Sequence, residues 1–185
     1  TALEEYKAPN YAFPTNFTET EVVIGEGEWK LPGTLTMPNG GGPFPAIVLV
    51  HGSGPNDRDE TIGPNKPFKD LAWGLANQGI AVLRYDKRTL VHSQKLASLQ
   101  SSITVNEETV LDAIDAIGLL VNTEKINSKQ IFVLGHSLGG TLGPRIAKDS
   151  DDIAGLVIMA GAARPLEELI LMQIKYIAGL DGNIS

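Results

Sequence analysis

Four short aliphatic runs constrain this chain more than any other feature: residues 46–50, 80–85, 131–134 and 153–159, each bounded by Gly or Asp. Continuous apolar runs of this length fit strands buried on both faces, because neither face of such a strand can carry polar side chains. Strands buried twice need helices on both sides, and the intervening segments supply them. Residues 68–77 put Leu71, Ala72 and Leu75 on one stripe, with Gly79 just past its end. Residues 106–121 repeat Val110, Ile114, Ile117 and Val121 at helical spacing, and Thr104 with Glu107 forms a capping-box pattern at the start. Strands alternating with helices imply right-handed crossovers and a parallel sheet.

Two further strands, over residues 20–24 and 29–37, alternate apolar and polar positions and are joined at 25–28 as a hairpin, which the Pro- and Gly-rich stretch 38–43 ends. The expected fold is an α/β sandwich: a mostly parallel central sheet with an antiparallel N-terminal hairpin. Residues 1–17, with Pro9 and Pro14 and no periodicity, read as an extended lead-in. In open α/β sheets ligands bind beyond the carboxyl ends of the strands. Chemistry is therefore expected directly after Val50, Tyr85, Leu134 and Met159.

After Leu134 stands Gly135-His136-Ser137-Leu138-Gly139, which opens a helix-competent segment over 138–148. A serine at a sharp strand-to-helix turn is forced into strained dihedrals, and the flanking glycines remove Cβ clashes that would forbid so tight a turn. Its hydroxyl projects from the sheet, and the helix that starts there turns its positive end toward an oxyanion forming beside Ser137. A P-loop shares the Gly135 to Gly140 spacing but needs Lys where Thr141 stands. After Val50 stands His51-Gly52-Ser53-Gly54, small residues that let backbone N–H groups approach a substrate. One oxyanion donor is placed at the Ser53 N–H and the other at the Leu138 N–H. A dinucleotide loop is excluded because Asp57 stands where the third glycine belongs.

Over residues 18–178 the chain resembles the bacterial α/β-hydrolase superfamily, in particular dienelactone-hydrolase-like and cinnamoyl-esterase-like serine carboxylesterases. The resemblance rests on the segments 51–59, 84–88 and 135–140, that is, His51-Gly52-Ser53-Gly54-Pro55-Asn56-Asp57-Arg58-Asp59, Arg84-Tyr85-Asp86-Lys87-Arg88 and Gly135-His136-Ser137-Leu138-Gly139-Gly140. It implies a nucleophile at Ser137, oxyanion donors at Ser53 and Leu138, supporting roles for His51, Gly52, Gly54, Gly135, His136 and Gly139, and a small-molecule carboxylic ester as substrate. Asp86 and Arg88 are expected to form a structural ion pair beneath the site loops. Asp57, Asp59 and Glu60 lack the order of a cation-binding loop and are expected to be solvated, so neither metal nor cofactor is expected.

A serine nucleophile needs a base, normally a histidine oriented by a carboxylate. His51 belongs to the oxyanion loop, His136 is turned away from Ser137 by the elbow, and His92 precedes the serine, whereas the family order is serine, acid, histidine. His92 is thus a poor candidate, and acid and base are expected outside these 185 residues, beyond two further strands of the family pattern. The core then covers 18–163, and 164–185 begins a cap or lid, with an apolar-rich helix over 165–178. The run 153–159 would be an exposed sheet edge, which proteins rarely leave uncovered. Either a companion C-terminal fragment or self-association through that edge is expected, and the chain reads as the N-terminal part of a larger hydrolase.

Composition narrows the chemistry. With 42% hydrophobic and 20% charged residues the chain can fold, and its net charge of −7 repels phosphate backbones, so no nucleic-acid partner is expected. No apolar run reaches the length of a membrane span. The absence of cysteine removes thiol nucleophiles and disulfides while leaving the compartment open. A non-catalytic binding module of the same fold, or a peptidase or thioesterase, are the alternatives to an esterase.

Overall fold

The computed structural model describes residues 5–98 and 103–180. Strands β1 (Phe17–Ile24), β2 (Leu31–Pro38) and β3 (Phe44–Val50) lead into helix α1 (Pro67–Asn77) and strand β4 (Ala81–Tyr85). Short helices α2 (Arg88–Val91) and α3 (Ser93–Ser98) precede a π-turn at Asn106–Val110, which runs directly into α4 (Leu111–Val121). Strand β5 (Ile126–His136), helix α5 (Leu138–Lys148), strand β6 (Gly155–Met159) and helix α6 (Leu166–Leu180) complete the order.

One six-stranded sheet results, in the order β1-β2-β4-β3-β5-β6. The β1–β2 and β2–β4 pairs are antiparallel and the β4–β3, β3–β5 and β5–β6 pairs parallel, the mixed sheet expected from the sequence. The central strands are buried on both faces for the reason their composition suggests. Alternate residues of β3 serve different layers: Ile47 and Leu49 pack with Phe68 and Ala72 of α1, while Ala46, Val48 and Val50 join Ala113, Ile117 and Leu120 of α4. Phe68 is fully buried, and covering a side chain of that size contributes roughly 1.5–3 kcal/mol.

Boundaries differ from the sequence expectation at β5 and β1. β5 begins at Ile126, five residues before its aliphatic run, because Ile126 pairs with Phe44 before a bulge restores regular pairing at Ile131 with Ala46. β1 starts at Phe17 and is preceded by a 3-10 turn at Pro14–Asn16. Part of the lead-in is fastened to α1, with the Tyr6 hydroxyl donating to Asp70 at 2.8 Å. At the capping box, the Glu107 carboxylate accepts the Thr104 N–H at 3.0 Å.

β6 is an edge strand, and its Val157 and Ile158 are about half exposed, at 46% and 53%. Along α6 the side chains of Leu171, Met172, Ile174, Tyr176 and Ile177 are exposed as well. Among the described residues no helix is long and apolar enough to cross a membrane.

Candidate active site

The carboxyl ends of β3 and β5 lie side by side, with Val50 paired to Gly135, so the two motifs that follow them meet. Ser137 sits between β5 and α5 with φ 51° and ψ −111°, a conformation that side-chain-bearing residues avoid and that surrounding structure must hold. Three backbone bonds hold it. The Ser137 N–H donates to Met159 O at 2.9 Å, the Thr141 N–H donates to Ser137 O at 2.9 Å, and the Gly139 N–H donates to His51 O at 3.1 Å. Both flanking glycines are required by close approach. A Cβ on Gly139 would lie 2.4 Å from Val50 O, and one on Gly135 would lie 2.3 Å from the Gly139 carbonyl carbon.

Gly52 abuts the serine: a Cβ placed on it would stand 3.4 Å from Ser137 Cβ. Leu138 is the first residue of α5, where backbone N–H groups have no intrahelical acceptor. Among the described residues neither the Leu138 N–H nor the Ser53 N–H meets a hydrogen-bond acceptor. The loop itself is well tied. Asn56 Nδ2 reaches the carbonyl oxygens of Gly52, Ser53 and Gly54 at 3.2, 3.2 and 3.3 Å, and Thr89 Oγ1 donates to Gly54 O at 3.2 Å.

The acids of this loop are not solvated as a trio, contrary to expectation. Asp59 and Glu60 are buried and committed to protein partners. Asp59 pairs with Arg84 and, at 3.0 Å, with Lys66, while Asp57 accepts the Thr61 N–H at 2.9 Å. Glu60, at φ 51°, accepts the Gly52 N–H at 2.7 Å and lies 2.9 Å from His136 Nδ1. Its carboxylate thus bridges the two motifs, a role the sequence did not reveal. Among the described residues no cluster of His, Asp and Glu could hold a metal ion.

Asp86 and Arg88 also depart from expectation, because they do not pair with each other. Asp86 accepts the Arg58 backbone N–H at 2.8 Å and Arg58 Nη2 at 2.9 Å, and Arg58 continues to Glu21 at 2.7 Å. Arg88 instead grips Asp112 of α4, with Nε 3.1 Å from both carboxylate oxygens. Burial pushes the Asp112 carboxyl above its usual range, against the pull of Arg88. Both pairs lash the loops after β3 and β4 to neighbouring elements.

The three histidines are each engaged elsewhere. His51 lies buried between the rings of Phe68 and Tyr85, at centroid distances of 5.4 and 5.1 Å, and burial lowers its pKa to about 4. His136 faces Glu60. His92 has Nε2 3.0 Å from Lys30 O, just before β2. In the sheet order β2 is three strands from β5, about 14 Å at the usual strand spacing, so His92 is beyond reach of Ser137.

Residues 43–181 match the Hydrolase_4 family, described as serine aminopeptidase, S33. The chain belongs to this family. Solved α/β-hydrolase structures share the fold seen here. Acetyl xylan esterase 1 from Thermoanaerobacterium superimposes with a TM-score of 0.66 at 14% identity, covering 92% of this chain and 56% of that one. Dienelactone hydrolase from Anabaena variabilis gives 0.61 at 23% identity, covering 79% and 64%. In sequence, the chain is 48% identical over 182 residues to esterase EstD of Thermotoga maritima, 97% of this chain and 42% of that protein. It therefore spans less than half the length of that curated relative.

Proposed function

We propose that this S33-family protein is a serine hydrolase that cleaves carboxylic esters through an acyl-enzyme on Ser137. The observation that carries the proposal is the strained Ser137 backbone at the head of α5, with Gly52 packed against it. The Ser137 hydroxyl attacks the ester carbonyl carbon and gives its proton to a general base, and the carbonyl oxygen becomes an oxyanion. The N–H groups of Leu138 and Ser53, both free among the described residues, donate to that oxygen. Collapse expels the alcohol, which takes the proton back from the base. Water then gives a proton to the same base, attacks the acyl carbon and releases the acid as the proton returns to Ser137. Loss of one such donor lowers turnover about 10²- to 10³-fold in comparable enzymes.

The engagement of His51, His136 and His92 elsewhere supports a base and acid supplied from outside these 185 residues. The exposed β6 edge supports its cover by further polypeptide or by a second copy, and the apolar face of α6 suits a cap over the site. An ester substrate is favoured by 48% identity to a protein named as an esterase. The family's own name points to a peptidase as the second reading. In the intact protein, p-nitrophenyl acetate is expected to turn over faster than an aminoacyl p-nitroanilide. A fluorophosphonate probe is expected to label Ser137, and equal labelling of Ser137→Ala would refute the assignment.

A further inference from the structure

Lys87 is buried, with a side chain 2% exposed, although nothing in packing alone requires a lysine there. A buried ammonium carries a desolvation penalty that an apolar side chain of the same length would avoid. What the charge reaches is specific. Its Nζ donates to the Gly52 carbonyl oxygen at 2.8 Å and is balanced by Glu108 Oε1 at 2.7 Å. The Lys87 backbone N–H donates to Asn56 O at 3.0 Å, so main chain and side chain both bind the loop after β3.

The Gly52 carbonyl and the Ser53 N–H belong to one peptide unit. That unit is trans, as only Gly42-Pro43 is cis among the described residues. In a trans peptide the C=O and N–H lie in one plane and point in opposite directions. Fixing the carbonyl on a buried ammonium therefore aims the N–H the other way, out of the interior, while Gly52 stays against Ser137. A cation on the oxygen also draws electron density from the nitrogen, which strengthens the N–H as a donor. On the preceding peptide, Glu60 holds the Gly52 N–H at 2.7 Å. The peptides on either side of Gly52 are thus each held by an ionisable side chain.

We propose that Lys87 is a positioning residue that, through the Gly52 carbonyl, aims and polarises the Ser53 N–H toward the oxyanion formed at Ser137. This rests on the ester-hydrolase reading and deepens it. The test is Lys87→Met in the intact protein, with p-nitrophenyl acetate kinetics and inhibition by an aryl trifluoromethyl ketone, whose adduct with a serine carries the same oxyanion. The expected result is a 10- to 100-fold fall in kcat, less than outright loss of a donor, with KM within threefold. Ketone affinity falls by the same factor as kcat/KM. Should the single variant fail to fold, Lys87→Met/Glu108→Gln removes both charges together and carries the same expectations. A kcat within twofold of wild type, or a fall in kcat with ketone affinity unchanged, overturns the role of Lys87 alone. A wild-type protein that turns over no ester and leaves Ser137 unlabelled overturns the ester-hydrolase reading and this role together.

Discussion

His51 shows how a residue can belong to a motif and do something other than chemistry. Its imidazole fills the space between Phe68 and Tyr85, and burial lowers its pKa to about 4. The unfolded chain binds a proton on this histidine near pH 6.5, which the folded chain refuses until about 4. Stability contributed by the neutral ring is therefore complete above pH 6.5 and lost as pH falls toward 4, by roughly 3 kcal/mol in total. Urea unfolding at pH 7 and 4.5 is expected to show wild type losing more stability than His51→Leu over this interval. Parallel losses in the two proteins would contradict it. Glu60 marks the limit of what single residues disclose. Its partners lie 8 and 76 positions away, so only the folded loop shows that a seemingly solvated acid is buried. Asp86 and Arg88 teach the same point, since each finds its partner 24 to 28 positions away instead of two.

Among the elements, the tight fit between the β5–α5 turn and the end of β3 does the most for the site. Ser137 and its glycines could be read from five consecutive residues because the turn's steric demand is local. The approach of Gly139 to Val50 O depends on strands meeting at long range. Gly139→Ala would force the turn away from β3, lose the bond from the Gly139 N–H to His51 O, and carry Ser137 off Gly52. The expected cost is about 1–3 kcal/mol or more of stability, with ester turnover lost even where the variant still folds. Near-wild-type melting temperature and turnover in this variant would contradict the close approach. The aliphatic strands and their helices were legible because burial on both faces leaves an unambiguous pattern. The early part of β5 was not, since Ser128, Lys129 and Gln130 are exposed and polar in the stretch that the pairing with β3 skips between Ile126 and Ile131.

At the scale of the whole molecule, one sheet edge is managed and the other is uncovered among the described residues. β1 at one end carries Glu19 and Glu21 into pairs with Arg84 and Arg58. β6 at the other end presents Val157 and Ile158, and α6 adds an exposed apolar face. An unprotected apolar edge invites pairing with another chain. The 185-residue polypeptide by itself is expected to scatter light at a mass above its 19.7 kDa, and Ile158→Lys with Ile177→Lys to bring it toward that mass. A wild-type polypeptide that is already monodisperse at monomer mass would contradict this.

The serine acyl-enzyme can be tested without knowledge of the natural substrate. The intact protein is mixed with p-nitrophenyl acetate, quenched in acid during the first turnover, digested and analysed by mass spectrometry. An acetyl adduct is expected on the peptide containing Ser137, appearing in step with a burst of p-nitrophenol and absent from Ser137→Ala. Ester turnover that proceeds unchanged in Ser137→Ala, or an acetyl group that accumulates on a different side chain, would contradict it.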